Sequence, residues 1–185
     1  GSLYLSFDLT ADASGALKID THFNNDRAMG PSGGTVSYAA SVTLDGRTVN
    51  QPQLTQYQYQ NWNMVVESKP AAFINVRHDI AHLERTGLVA NYDPDRARYS
   101  ANTIAGLPAR MARSDWNAPF AANDIHNYMP GTGGRPDIGP TTRANADWLL
   151  TQDATAARYA LDQAGAADGI PWHFRDVATG TWLNT

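Results

Sequence analysis

Apolar and polar residues alternate with a spacing of two through the first third of the chain. Leu3, Leu5, Phe7 and Leu9 are separated by Tyr4, Ser6 and Asp8, and Leu17, Ile19, Thr21 and Phe23 repeat the pattern after a turn at Asp12 to Gly15. A period of two sends one set of side chains to a core and the other to solvent, so the two runs predict a β-hairpin. The run TVSYAASVTL alternates again through Val36, Tyr38, Ala40, Val42 and Leu44, and Asp45-Gly46 follows it. A two-residue type I′ turn needs positive φ at both central positions, which Asp-Gly tolerates well, so a second hairpin is expected here. Leu54 to Gln60, Trp62 to Glu67 and Ala71 to Val76 read as further strands, and short antiparallel strands at this spacing close most naturally as a sandwich.

From His78 the period lengthens. HDIAHLERTG places Ile80, Leu83 and Ala81 on one helical face and ends at Gly87, where a left-handed cap belongs. Asn91 to Asn117, punctuated by Pro94, Gly106 and Pro108, reads mostly as coil. Beyond a long Gly- and Pro-rich segment, Pro119 to Arg143, Thr142 can cap a helix carrying Ala146, Leu149 and Leu150. Asp153 can cap a second, with Ala157, Ala160, Leu161 and Ala164 on one face. The expected fold class is therefore α+β: an N-terminal antiparallel β-sandwich over 1–76, then a small helical C-terminal region with long loops over 77–185. The half-covered alanine face and the abrupt TWLNT ending carry the expectation that the chain is cut from something longer at its C-terminus.

Composition removes several function classes. The chain has 185 residues, no cysteine and a formal net charge of −4. Disulfides, thiol nucleophiles and cysteine metal sites are thereby excluded, while the compartment stays open. With no basic stripe, binding to a nucleic-acid backbone has little electrostatic support, and no apolar run is long enough to span a bilayer. Nucleic acid and membrane are therefore not expected partners, and no cofactor is implied.

Three groups of residues have the chemistry for a site. His78 and His82 stand four apart with Asp79 beside the first, a pattern similar to the HExxH of zinc peptidases with Asp for Glu. Two histidines at that spacing on one helix face can share a metal, with Asp93 or His126 as a third ligand. The competing reading makes them exposed helix residues. In the long loop, Asp124, His126, Arg135 and Asp137 combine two carboxylates with positioning groups, as a glycan hydrolase or lyase requires; alternatively they pin the loop through caps and ion pairs. Tyr57, Tyr59 and Trp62 lie among amides in QYQYQNWN, a composition suited to stacking on sugar rings and exchanging hydrogen bonds with hydroxyls, although paired strand aromatics also fill cores. There is no GxSxG elbow, and GTGGR lacks the flanks of a phosphate loop.

The segments VRHDIAHLERTGLVANYD (Val76 to Asp93), NYMPGTGGRPDIGP (Asn127 to Pro140) and PWHFRD (Pro171 to Asp176) resemble parts of large, poorly characterised bacterial proteins. In those, a β-sandwich precedes a helical part similar to the α/α-toroid of polysaccharide lyases and six-hairpin glycosidases. The resemblance implies strands first, paired helices later and a native protein that continues past Thr185; it assigns no catalytic residue. The functional expectation is a carbohydrate-associated, glycan-binding bacterial protein fragment. The alternatives are a glycan hydrolase or lyase, a metal-dependent hydrolase, or a non-catalytic assembly module completed by a partner chain or by the missing remainder.

Overall fold

A computed structural model describes residues 3–28, 34–70, 73–87, 97–125, 142–170, 174–176 and 178–183. The chain divides into two compact units, Gly1–Ala72 with Asp168–Thr185, and Phe73–Ala167. The C-terminal residues, expected with the helices at 77–185, thus cluster with the strands. The class is α+β, with antiparallel strands first and helices after them.

In the strand unit, β1 (Tyr4–Ala11) and β2 (Leu17–Asn24) form the first hairpin, and β6 (Asn61–Glu67) pairs with the far side of β2. Asp12 builds the β1–β2 turn: its Oδ1 accepts from the Ser14 and Ala16 amides at 2.8 and 3.0 Å. The second hairpin is β4 (Val36–Leu44) with β5 (Arg47–Gln56), closed at Asp45 and Gly46 with φ 48° and 76°, as a type I′ turn demands. The β4–β5 register shifts between Tyr38 and Ala40, opposite Pro52. Proline has no N–H to give a ladder, and a bulge absorbs it. The β4–β5 hairpin packs on β6 and β2, which makes the unit sandwich-like.

Between these layers Phe23, Trp62, Met64 and Val66 are buried. The Phe23 ring stacks on Trp62 with centroids 4.3 Å apart and planes 8° from parallel, and Trp62 Nε1 donates to the Tyr38 hydroxyl at 2.7 Å. Two-residue strands β3 (Arg27–Ala28) and β7 (Arg175–Asp176) pair in parallel and fasten the C-terminal segment to this unit.

Two strand expectations are corrected. β5 ends at Gln56, and Tyr57 to Gln60 form the turn into β6 rather than a strand, because the Gln60 amide donates back to the Tyr57 carbonyl at 3.2 Å. Residues 73–76 carry no strand, while 71 and 72 lie outside the described residues.

The helical unit contains α1 (Ile80–Arg85), α2 (Ala97–Met111), α3 (Thr142–Thr151) and α4 (Ala154–Asp168), whose last residue already belongs to the strand unit. Asp79 caps α1 by accepting from the His82 amide, and Gly87 follows with φ 73°. The expected coil of Asn91 to Asn117 holds α2 instead. Ile104, Leu107 and Met111 form an apolar stripe at helical spacing, and its packing outweighs Gly106 and the ladder bond that Pro108 cannot make. Leu107, Ala144, Ala156, Tyr159 and Ala160 form the core of this unit, edged by Trp116 and Trp148.

Asp153 caps α4, its Oδ1 accepting from the Thr155 and Ala156 amides at 2.7 and 3.1 Å. The buried face of α4 is turned from the expected one: Ala156, Ala157, Tyr159, Ala160 and Gln163 face inward, while Leu161 is 60 % exposed and Ala164 is exposed. Tyr159 decides the rotation, since its ring stacks on Trp116 at 5.3 Å and its hydroxyl needs a partner inside.

Candidate functional site

The turn between β5 and β6 is fixed from beneath by two buried amides. Asn25, fully buried, donates from Nδ2 to the carbonyls of Gly34 (2.7 Å) and Gln56 (3.3 Å), and its own carbonyl accepts from the Tyr59 amide at 2.7 Å. Gln56, also fully buried, donates to the Phe23 carbonyl at 2.9 Å and to the Gln60 carbonyl, and accepts from the Tyr38 hydroxyl. Gln60 Oε1 takes the Tyr57 amide at 2.8 Å, and Gln58 Nε2 reaches the Arg27 carbonyl at 2.9 Å. The Tyr57 and Gln60 backbone groups and the Tyr59 N–H thus all have partners, which ties the turn to the strands beneath it.

On this base the Tyr57 and Tyr59 rings stand 60 % and 43 % exposed. Tyr59 holds φ 67°, a left-handed conformation that normally goes to glycine or asparagine, and its ring meets Phe174 edge-on at 4.9 Å. Nearby in sequence, the Arg175 guanidinium lies 4.0 Å from each of the Tyr4 and Trp182 ring centres, and Trp182 is 53 % exposed. Asp26 is buried, 3.8 Å from Arg175 Nε, with Oδ1 lacking a hydrogen bond among the described residues. Burial raises the Asp26 pKa against the opposing pull of Arg175. Trp62, expected at the binding surface, is instead part of the core, because position 62 faces Phe23 across the ladder.

The opposite face of the three-stranded sheet carries a polar cluster. Asp8 and Asp20 are direct cross-strand partners, which like charges disfavour. His22 relieves them: its Nε2 is 3.1 Å from Asp8 and 3.9 Å from Asp20, while Nδ1 is 3.5 Å from Asp168. Asn63 Nδ2 adds bonds to both Asp20 oxygens at 3.0 and 3.3 Å. Ligand atoms of Asp20, His22 and Asp168 lie within 4.8 Å of one another, a nitrogen and oxygen donor set of the kind divalent ions accept. The even-numbered polar positions of β1 and β2 signal Asp8, Asp20 and His22 in the sequence; Asp168, remote in the chain, has no such signal.

His78 and His82 do not share a helix face. α1 begins after Asp79, so His78 precedes it, with its ring edge-on to Trp148 at 4.9 Å and its Nε2 buried without a hydrogen-bond partner among the described residues. His82 is exposed on α1, and Asp79 is committed to the His82 amide rather than to a water.

Asp124, at φ 61°, is held in place by three donors. Arg113 and Arg110 reach it at 2.7 and 3.4 Å, and the Tyr159 hydroxyl at 3.0 Å. Burial works against its charge, but the hydrogen bonds from Arg113 and Tyr159 prevail and hold its pKa below the usual carboxylate range. Its neighbour Asn123 ties the same loop to Asn117 at 2.6 Å and to the Asp162 carbonyl at 2.9 Å. His126, Arg135 and Asp137, like Asp93, lie outside the described residues. Among the described residues no helix is long and apolar enough to cross a membrane. Comparison with known protein families, with curated proteins and with solved structures returned no significant match.

Proposed function

We propose that the strand unit is a non-catalytic carbohydrate-binding module whose contact surface is the β5–β6 turn, with Tyr57 and Tyr59 as stacking platforms. One observation carries the reading: two tyrosine rings are exposed on a turn whose backbone is locked by the buried Asn25 and Gln56. An exposed aromatic ring offers a flat apolar face, and a rigid mount loses little entropy when a ligand docks. Pyranose rings present C–H faces to such platforms. A tyrosine held at positive φ costs about 1–3 kcal/mol and is the kind of strain that collects at ligand contacts. The resemblance to bacterial proteins with lyase- and glycosidase-like parts points the same way.

A hydrolase or lyase centred on Asp124 draws less support. A general acid needs its pKa raised, and Asp124 has it lowered by fixed cationic partners.

A glycan array followed by calorimetry tests the proposal. Tyr57→Ala and Tyr59→Ala should each weaken binding about five- to tenfold, the worth of one stacked ring. An empty array, or affinities indifferent to both changes, would remove the reading.

A further inference from the structure

The inner face of the three-stranded sheet is covered at one side and open at the other. Leu5, Phe7 and Leu9 of β1 stand in register with Phe23, Thr21 and Ile19 of β2, which in turn face Trp62, Met64 and Val66 of β6, so all belong to one face. The β4–β5 hairpin is only two strands wide and packs on β6 and β2. Exposure rises accordingly across the sheet. Val66 is 1 % exposed and Phe23 5 %, whereas Leu5 is 43 %, Phe7 56 %, Leu9 75 % and Leu17 43 %.

These four side chains leave roughly 400 Å² of apolar surface in water, in the size range of functional patches on soluble chains. We infer that a second copy of this chain covers it, the two β1 faces packing on each other about a two-fold axis. Complementarity argues for that occupant. The missing cover is a strip of apolar sheet one strand wide, which β1 of a second copy supplies, and such a contact of a patch with itself closes as a dimer. Charge also permits it: Asp8, Lys18 and Asp20 occupy the alternate positions and point to the other face, so stacking two such faces opposes no like charges. The area sets the strength. About 800 Å² from both copies falls below the roughly 1,200 Å² at which stable interfaces begin, so the dimer is weak and forms with concentration.

Sedimentation of the whole chain over roughly 1 to 500 μM tests this. The weight-average mass should climb from one chain toward two, while Phe7→Asp and Leu9→Asp, both at exposed positions and with unchanged circular dichroism, should raise the dissociation constant at least tenfold. A mass fixed at one chain throughout would overturn the proposal, as would equal association by both variants or growth into open-ended oligomers.

Discussion

Gln56 is the side chain on which the proposed binding turn rests, and its replacement has a calculable effect. Its carboxamide satisfies the Phe23 carbonyl, the Gln60 carbonyl and the Tyr38 hydroxyl, and the residue has no exposed surface. Gln56→Ala takes one hydrogen bond from each, although the Gln60 carbonyl keeps the Asn25 amide and the Tyr38 hydroxyl keeps the Trp62 indole. The Phe23 carbonyl left unpaired inside costs about 2 kcal/mol, and the loss of one hydrogen bond at each of the other two groups about 1 kcal/mol. The expected loss is about 4 kcal/mol in local stability, or about three decades in amide protection. Native-state hydrogen exchange read at the Tyr59 and Asn25 amides, which donate to Asn25 and Gln60, reports it directly. Gln56→Glu sharpens the test. It keeps the acceptor for Tyr38 but turns a carboxylate toward two carbonyls, so it should cost more than Gln56→Met, which fills the space without opposing charge. Protection reduced by less than about tenfold in Gln56→Ala would refute the account of a turn locked from beneath. So would a Glu variant as stable as Met. Glycan affinity should fall with protection although no ring has been removed.

Two further outcomes check the helical unit and the electrostatics. Leu107→Ala, at 2 % exposure in the core, should cost about 2–5 kcal/mol, whereas Leu161→Ala, at 60 % exposure, should stay within about 0.5 kcal/mol; urea midpoints of the two would reverse if the apolar face of α4 ran through Leu161. Asp124 and Asp26, whose pKa values are displaced in opposite directions, should give pH slopes of opposite sign. Asp124 has its pKa lowered from 3.8, so its stabilisation is present above that value and lost as pH falls through the lowered one. Asp26 has its pKa raised from 3.8, so its contribution is present below that value and lost as pH rises through the raised one. Asp124→Asn should flatten the acid limb and Asp26→Asn the other, and denaturation between about pH 2 and 7 that showed the same slope sign for both would contradict the assignments.

The pattern of residues along the chain determined the local elements wherever one rule acted alone. Period-two alternation marked β1, β2 and β4, Asp45-Gly46 marked its turn, and Asp153 and Gly87 marked a helix start and a helix end. Each depends on neighbours within a few positions, so each is legible without a fold. Tertiary structure decided the cases in which two rules competed. Pro108 and Gly106 argued for coil, and the packing of Ile104, Leu107 and Met111 prevailed. Tyr57 and Tyr59 alternated like strand residues, but the buried Asn25 and Gln56 drew their backbone into a turn and left the rings in water. Trp62, from the same aromatic stretch, was carried into the core by its register with Phe23. Asp79, standing where the zinc-peptidase pattern has its Glu, became a helix cap, which separated His78 from His82. Partner identity was equally out of reach of the one-dimensional pattern: nothing near Asp124 in sequence announces Tyr159, and nothing near His22 announces Asp168. Alternation along β1 showed that Leu5, Phe7 and Leu9 share a face, but only the two-strand width of the β4–β5 layer left that face uncovered.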